Sequence, residues 1–152
     1  MASKQPKRHL LIRFTKILVC SSFICIFLVW WPIPSVRSLQ HENPTVSSFS
    51  LREGVALGKW RSLKEVSPYL IHAVILSEDG RFYEHHGVDW NMLKIAFRKN
   101  WERKSFVFGA STITQQVAKN LYLSSNKSIF RKVKERRIAA ELERHLTKDR
   151  IL

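Results

Sequence analysis

Glu78-Asp-Gly-Arg-Phe-Tyr-Glu-His-His-Gly-Val-Asp89 is the stretch around which the chain is organised. An apolar run, Tyr69-Leu-Ile-His-Ala-Val-Ile-Leu76, leads directly into it and reads as a buried helix. Ser67 is placed to cap that helix and Pro68 to open it, at a position where the missing N–H costs nothing. Glu78 and Asp79 then fall where a buried helix ends, beside a turn that Gly80 permits. A carboxylate there is partly withdrawn from water, which suits it to accept a proton near neutral pH. A solvated acidic pair closing a helix explains the same spacing equally well.

Downstream, Asp89 is placed to cap a helix from Trp90 to about Arg103. Met92, Leu93, Ile95, Ala96 and Phe97 form its apolar side, and Lys94, Arg98, Lys99, Arg103 and Lys104 make it basic. Ser105 to Ala110 reads as a loop. Ser111 is a suitable N-cap for a helix from Thr112 to about Leu121, whose free N–H groups and flanking hydroxyls suit phosphate oxygens or simply cap the helix. Gln115 and Lys119 share one face of that helix. Ser128 caps a last long helix, Ile129 to about His145, strongly basic in its first half. Stepping from Glu135 by three, four and seven residues meets Ile138, Ala139 and Leu142, so this carboxylate projects from the apolar stripe. Arg131 lies one turn back on the same side, and a structural ion pair explains that placement without any chemistry.

The formal charge of +14 and an isoelectric point near 10.3 call for an anionic partner. No groove-reading helix, zinc spacing or aromatic RNA-binding signature supports nucleic acid. A membrane surface and a pyrophosphate substrate account for the charge equally well. Ile17 to Ile33 is seventeen residues without a charge, near the short end of a bilayer-spanning helix, with Trp30 and Trp31 at its interfacial end. Lys4, Lys7, Arg8, Arg13 and Lys16 precede it and no acidic residue does, so residues 1–16 are expected to stay cytoplasmic and the rest to lie outside. No small-residue cleavage site follows, which favours an uncleaved anchor. Cys20 and Cys25, the only cysteines, fall inside this span and read as apolar filling. Pro32, Pro34 and Pro44 with several serines mark residues 34–50 as an extended, weakly ordered linker. Leu51 to Val66 is ambiguous, with a short strand or extended segment as one reading.

Glu78, Asp79, Phe82, His85 and Gly87 fit E-D-x-x-F-x-x-H-x-G, and with it the chain resembles the peptidoglycan glycosyltransferases. Gly109-Ala-Ser-Thr-Ile-Thr-Gln-Gln116 is similar to that family's second motif, G-x-S-T-I-T-Q-Q. Arg131-Lys-Val-Lys-Glu135 is similar to the third, R-K-x-x-E. Three motifs in order are far more specific than one. Lys148-Asp-Arg-Ile-Leu152 resembles the opening of a fourth, K-x-x-I-L-E-x-Y-L-N, with Thr147 as the cap of its helix.

The resemblance implies a mainly α fold with a lysozyme-like lobe, of which residues 51–152 form the N-terminal part, behind one transmembrane helix. It implies a single-pass protein of the bacterial cytoplasmic (inner) membrane that polymerises lipid-linked disaccharide-peptide, lipid II, into glycan strands. By resemblance Glu78 is the general base on the acceptor 4-hydroxyl, and Glu135 the second essential carboxylate, near the leaving pyrophosphate. Arg131 and Lys132 match the cations of the third motif. Ser111, Thr112, Gln116 and Lys119 match substrate-contacting positions of the second. Asp79, Phe82 and His85 match positions that shape the site around the base. No cofactor is required, though Glu135 is a candidate ligand for a divalent cation, magnesium or manganese. Implied partners are lipid II, the growing strand, membrane lipids and other cell-wall synthesis proteins. Ending inside the fourth motif, the chain is expected to carry both carboxylates yet polymerise poorly. Two rival readings share these features. A muramidase or lytic transglycosylase also places carboxylates on helices, but cleavage has no use for cations around Glu135. A non-catalytic membrane-anchored protein binding glycan or lipid is the other.

Overall fold

The computed structural model of the chain describes residues 13–23, 32–56, 58–126 and 128–152. The basic residues Lys4, Lys7 and Arg8, and residues 24–31 of the expected span with Cys25, Trp30 and Trp31, lie outside the described residues. The chain divides into two compact units, residues 1–32 and 33–152. In the first, residues 13–23 are helical (α1). Ser21 and Ser22 donate their hydroxyls back to the Leu18 carbonyl at 2.8 Å, so neither leaves a polar group unpaired on the helix surface. No described helix is long and apolar enough to cross a membrane.

The second unit holds helices α2 (Ser48–Glu53), α3 (Pro68–Glu78), α4 (Trp90–Glu102), α5 (Ile113–Tyr122), α6 (Ile129–His145) and α7 (Lys148–Ile151). Short 3-10 turns at Arg37–Gln40, Leu63–Glu65 and Phe82–Glu84 join them, and there is no strand among the described residues. The mainly α expectation holds.

Pairing of α5 with α6 organises the packing. Ala118 and Leu123 meet Ile138, Ala139 and Leu142, the stripe expected from Glu135, and all five are buried. A second cluster joins Ile75, Phe82, Ile113 and Ile151, and Val117 and Leu146 pack against both clusters. Phe82 is therefore a core side chain that seats the turn carrying Glu78 and Asp79 on α5.

Two expectations are corrected and one ambiguity is narrowed. Residues 34–50 are not an extended linker, because Val36 and Leu39 sit in the α5–α6 core. Gln40 donates to the His145 carbonyl at 2.9 Å, and Arg150 donates to the carbonyls of Leu39 and Glu42 at 2.7 Å, strapping the segment down. Leu51 to Val66, ambiguous in sequence, holds the end of α2, described residues 55, 56 and 58–62 that are neither helix nor strand, and a 3-10 turn; α2 opens on a Ser47–Ser50 capping box. The apolar run of α3 is a helix with Ser67 and Pro68 at the expected places, but it is not buried. It is apolar on every side, and only the edge bearing Ile75 reaches the core. Tyr69 stays 87% exposed and Leu76 75%. The apolar side of α4 likewise buries only Ala96, leaving Phe97 and Trp101 stacked on the surface with ring centroids 6.3 Å apart.

Gly87 makes the closest backbone approach. Its φ of +84° lies in the left-handed region, and a Cβ there would stand 3.1 Å from the Ala139 carbonyl oxygen and 3.3 Å from Glu143 Cγ. Gly87→Ala is expected to destabilise the domain by at least about 2 kcal/mol, from backbone strain and displacement of α6 together. A lowered urea midpoint checks it, and an unchanged midpoint contradicts it.

Candidate active site

The site starts from the end of α3. Glu78 is the last residue of the helix and Asp79 its C-cap, and the two carboxylates have opposite fates. Asp79 is buried, and both of its oxygens accept from His85 Nε2, at 2.9 and 3.0 Å. Its Oδ2 also accepts the backbone N–H of Ile113 at 3.0 Å, which places a negative charge at the N-terminus of α5. Glu78 is exposed, contrary to the expectation of a partly desolvated group, because α3 itself is uncovered where it ends. Its Oε2 accepts from Gln116 Nε2 at 2.7 Å.

Around Asp79 the first motif folds back on the second. Thr112 Oγ1 donates to the Gly87 carbonyl at 2.7 Å. Lys148 Nζ donates to the His85 carbonyl at 2.6 Å and to Glu143 at 2.8 Å, and stands 4.5 Å from the Phe82 ring centroid. Thr114 Oγ1 donates to the same Glu143 oxygen at 2.6 Å. The Tyr83 phenol is pushed up, by burial first and by Asp149 second, which ties this turn to α7. Thr114 and Lys148 fall inside the quoted motifs without a role assigned from sequence, and Glu143 was not singled out at all; their contacts join segments distant in the chain.

The start of α5 is shifted by one residue from the expectation. Thr112, not Ser111, is the N-cap, and a reciprocal capping box with Gln115 closes it. Two of the N–H groups expected to be free for phosphate are taken, Ile113 by Asp79 and Gln115 by Thr112. Thr112 is itself buried, so its hydroxyl serves the fold. Ser111 is released from capping and accepts from Lys132 Nζ at 2.7 Å.

A cleft of about 540 Å³ opens here, lined on one side by Leu76 to Arg81, Asp89 and Met92, and on the other by Gly109 to Thr112 and Gln116. Of the residues singled out from the sequence, Glu78, Asp79, Ser111, Thr112 and Gln116 line it. Phe82 and His85 lie buried beneath. Lys119 follows Gln116 by one helical turn, outside the lining. Arg81 is a lining residue that sequence reasoning passed over. Its guanidinium is held more firmly protonated, by Glu84 first and by Asp89 second.

Glu135 is 2% exposed and faces two cations. One oxygen accepts from Arg131 Nη1 at 2.7 Å and the other pairs with Lys132 Nζ. The expected Arg131 pair is thus present, with Lys132 as a second arm that reaches Ser111 on the cleft wall. Residues 111–116 therefore connect the two carboxylates: Gln116 holds Glu78, and Ser111 holds the lysine that holds Glu135. An exposed carboxylate can take a proton from a bound hydroxyl, and the cationic pair can meet an anionic leaving group. No group of three or more metal-ligating side chains occurs among the described residues. Both Glu135 oxygens are engaged by cations.

A family profile described as Transglycosylase matches residues 47–152, which contain every residue of this site. The chain belongs to the transglycosylase family. Among similar curated proteins, three named biosynthetic peptidoglycan transglycosylase illustrate the range. One from Alcanivorax borkumensis is 44% identical over 125 residues, covering 80% of this chain and 51% of that protein. One from Chromobacterium violaceum is 37% identical over 145 residues, covering 88% and 64%. One from Dechloromonas aromatica is 38% identical over 151 residues, covering 91% and 65%. This transglycosylase-family chain thus spans between about half and two-thirds of the length of these relatives.

Proposed function

We propose that the chain carries the acceptor-base and leaving-group parts of a peptidoglycan glycosyltransferase acting on lipid II. The single observation that carries this reading is the pair of carboxylates tied to one segment, residues 111–116, with opposite surroundings. Glu78 is open to the cleft and oriented by Gln116, and it takes the proton of the acceptor sugar hydroxyl. The oxygen so freed attacks the anomeric carbon of the donor, the bond to lipid pyrophosphate breaks, and the configuration inverts. Arg131 and Lys132 stabilise the negative charge that builds on the departing pyrophosphate. Glu135 holds these two cations in place. Substrate filling the cleft supplies the desolvation that Glu78 lacks when the cleft is open. Ser111 and Gln116 face substrate directly, and Lys119 extends the basic surface. Asp79, Phe82, His85 and Thr112 hold the walls.

Glycan cleavage is the weaker reading, because a muramidase needs a protonated acid at the glycosidic oxygen and gains nothing from two cations on a buried carboxylate. A purely binding role leaves the orientation of Glu78 by Gln116 without a purpose. Residues 17–33 serve as the anchor in this proposal, with the basic tail cytoplasmic and the domain outside, against the membrane that carries the substrate. Membrane lipids, the growing strand and other cell-wall synthesis proteins are the partners this placement supplies.

Two measurements check the proposal. With the chain joined to the C-terminal remainder of the Alcanivorax borkumensis relative, Glu78→Gln is expected to slow glycan growth from lipid II by about 100- to 10,000-fold without changing the unfolding midpoint. Glu135→Gln should also be severe, since it releases both cations. Growth within a few-fold of the unmutated protein for Glu78→Gln would remove it from the base role. For topology, a reporter fused after Leu152 is expected to be active outside the cytoplasm. Activity of the intact fusion inside the cytoplasm contradicts the anchor.

A further inference from the structure

The cleft wall formed by Gly109 and Ala110 has little of its own to hold it. A Cβ built on Gly109 meets nothing within 4 Å, and Ala110 belongs to no helix. The wall hangs between two fixed points. On its C-terminal side, Ser111 is held by Lys132 and Thr112 by the Gly87 carbonyl. On its N-terminal side, the fixed point is one side chain in the last turn of α4, Asn100. Its Oδ1 accepts the backbone N–H groups of Val107 and Phe108, both at 2.9 Å. Its Nδ2 donates to the Phe108 carbonyl, also at 2.9 Å. A carboxamide is the side chain suited to this, because it presents an acceptor and a donor side by side to a strand of backbone. The Asn100 carbonyl adds a fourth bond, accepting the N–H of Ser105 at 3.1 Å. Lys104, between the helix and the loop, takes a positive φ of 49°, a conformation that costs a non-glycine residue free energy and must be held by its surroundings. The Phe108 ring lies between Lys99 and Arg103, at 4.8 and 5.0 Å, which adds to the hold.

We propose that Asn100 is a positioning residue for substrate capture: its carboxamide latches the 104–108 loop to α4 and so sets the Gly109–Ala110 wall of the cleft that contains Glu78. The part played in capture rests on the function proposed above; the latch does not. Asn100 touches no substrate. It acts through Val107 and Phe108 on the two residues that follow them. With the latch gone, the N-terminal side of the wall keeps only the Asn100 carbonyl bond to Ser105 and the Phe108 ring between Lys99 and Arg103, and the cleft loses a defined width at the mouth nearest α4.

The test uses the whole 152-residue chain in detergent, unmutated and as Asn100→Ala and Asn100→Asp. Backbone hydrogen exchange is read at Val107 and Phe108, and affinity is read with fluorescently labelled lipid II. Asn100→Ala suits the helix, so the unfolding midpoint is expected to stay within error. Exchange at Val107 and Phe108 is expected to rise roughly tenfold or more, and exchange in α6 to stay unchanged. The dissociation constant for lipid II is expected to rise by about tenfold. Asn100→Asp keeps the acceptor and loses the donor, so it should restore slow exchange at both amides and recover part of the affinity. A residue that merely stabilised the fold would shift exchange throughout and would show no such ordering. Unchanged exchange at both amides in Asn100→Ala overturns the latch. Faster exchange with unchanged affinity overturns its part in capture. Failure of the unmutated chain to bind lipid II counts against the proposed function and the part in capture together, and the exchange ratio still decides the latch.

Discussion

The structure depends on one buried carboxylate. Asp79 leaves the last turn of α3, accepts from His85 within its own motif, and accepts the first N–H of α5 from the next. As the donor to a carboxylate, His85 Nε2 carries the proton. Hydrogen bonds to a charged acceptor contribute roughly 1.5–3 kcal/mol each, against about 1 for a neutral pair, so this residue outweighs most single contacts in a small domain. It also spends the helix terminus. The N–H group that would otherwise attract a phosphate is neutralised internally, so recognition of an anionic substrate falls to side chains.

Those side chains come from α6. A carboxylate as buried as Glu135 would be costly alone, and it is tolerated because Arg131 and Lys132 engage its two oxygens. One carboxylate between two cations leaves one positive charge in excess, aimed along Lys132 at the Ser111 side of the cleft. The same residue therefore anchors α6 through its position in the apolar stripe and sets the sign of the site. Gly87 allows this packing by letting the first motif touch the α6 backbone at Ala139, and Lys148 and Thr114 close the assembly through Glu143.

Helix starts were legible because capping is local. Asp89, Ser128 and Thr147 cap the helices they were expected to cap, each accepting N–H groups within three residues. The one shift, from Ser111 to Thr112, follows from a pattern equally present in the sequence, Thr112-Ile-Thr-Gln115, a Thr followed three residues on by a Gln. The Glu135 stripe was legible because helical periodicity alone puts Arg131, Ile138, Ala139 and Leu142 on its side. Burial was not legible. An apolar helix looks the same in sequence whether or not other elements cover it, so α3 was expected inside and Glu78 with it. The composition of residues 34–50 hid two core side chains, Val36 and Leu39, among prolines and serines. The Asn100 latch left no signal, because an Asn in a basic helix is unremarkable until the loop folds back on it.

On this account Asp79 contributes to the chemistry only by holding Glu78 and the start of α5 in register. The most direct measurement is a double-mutant cycle on glycan growth with Asp79→Asn and Glu78→Gln, each alone and together, in the chain joined to the relative's C-terminal remainder. The account predicts strong coupling: Asp79→Asn slows the unmutated protein but costs far less once Glu78 has lost its carboxylate. Effects that simply multiply would contradict it, and would show that Asp79 acts independently of the base it adjoins.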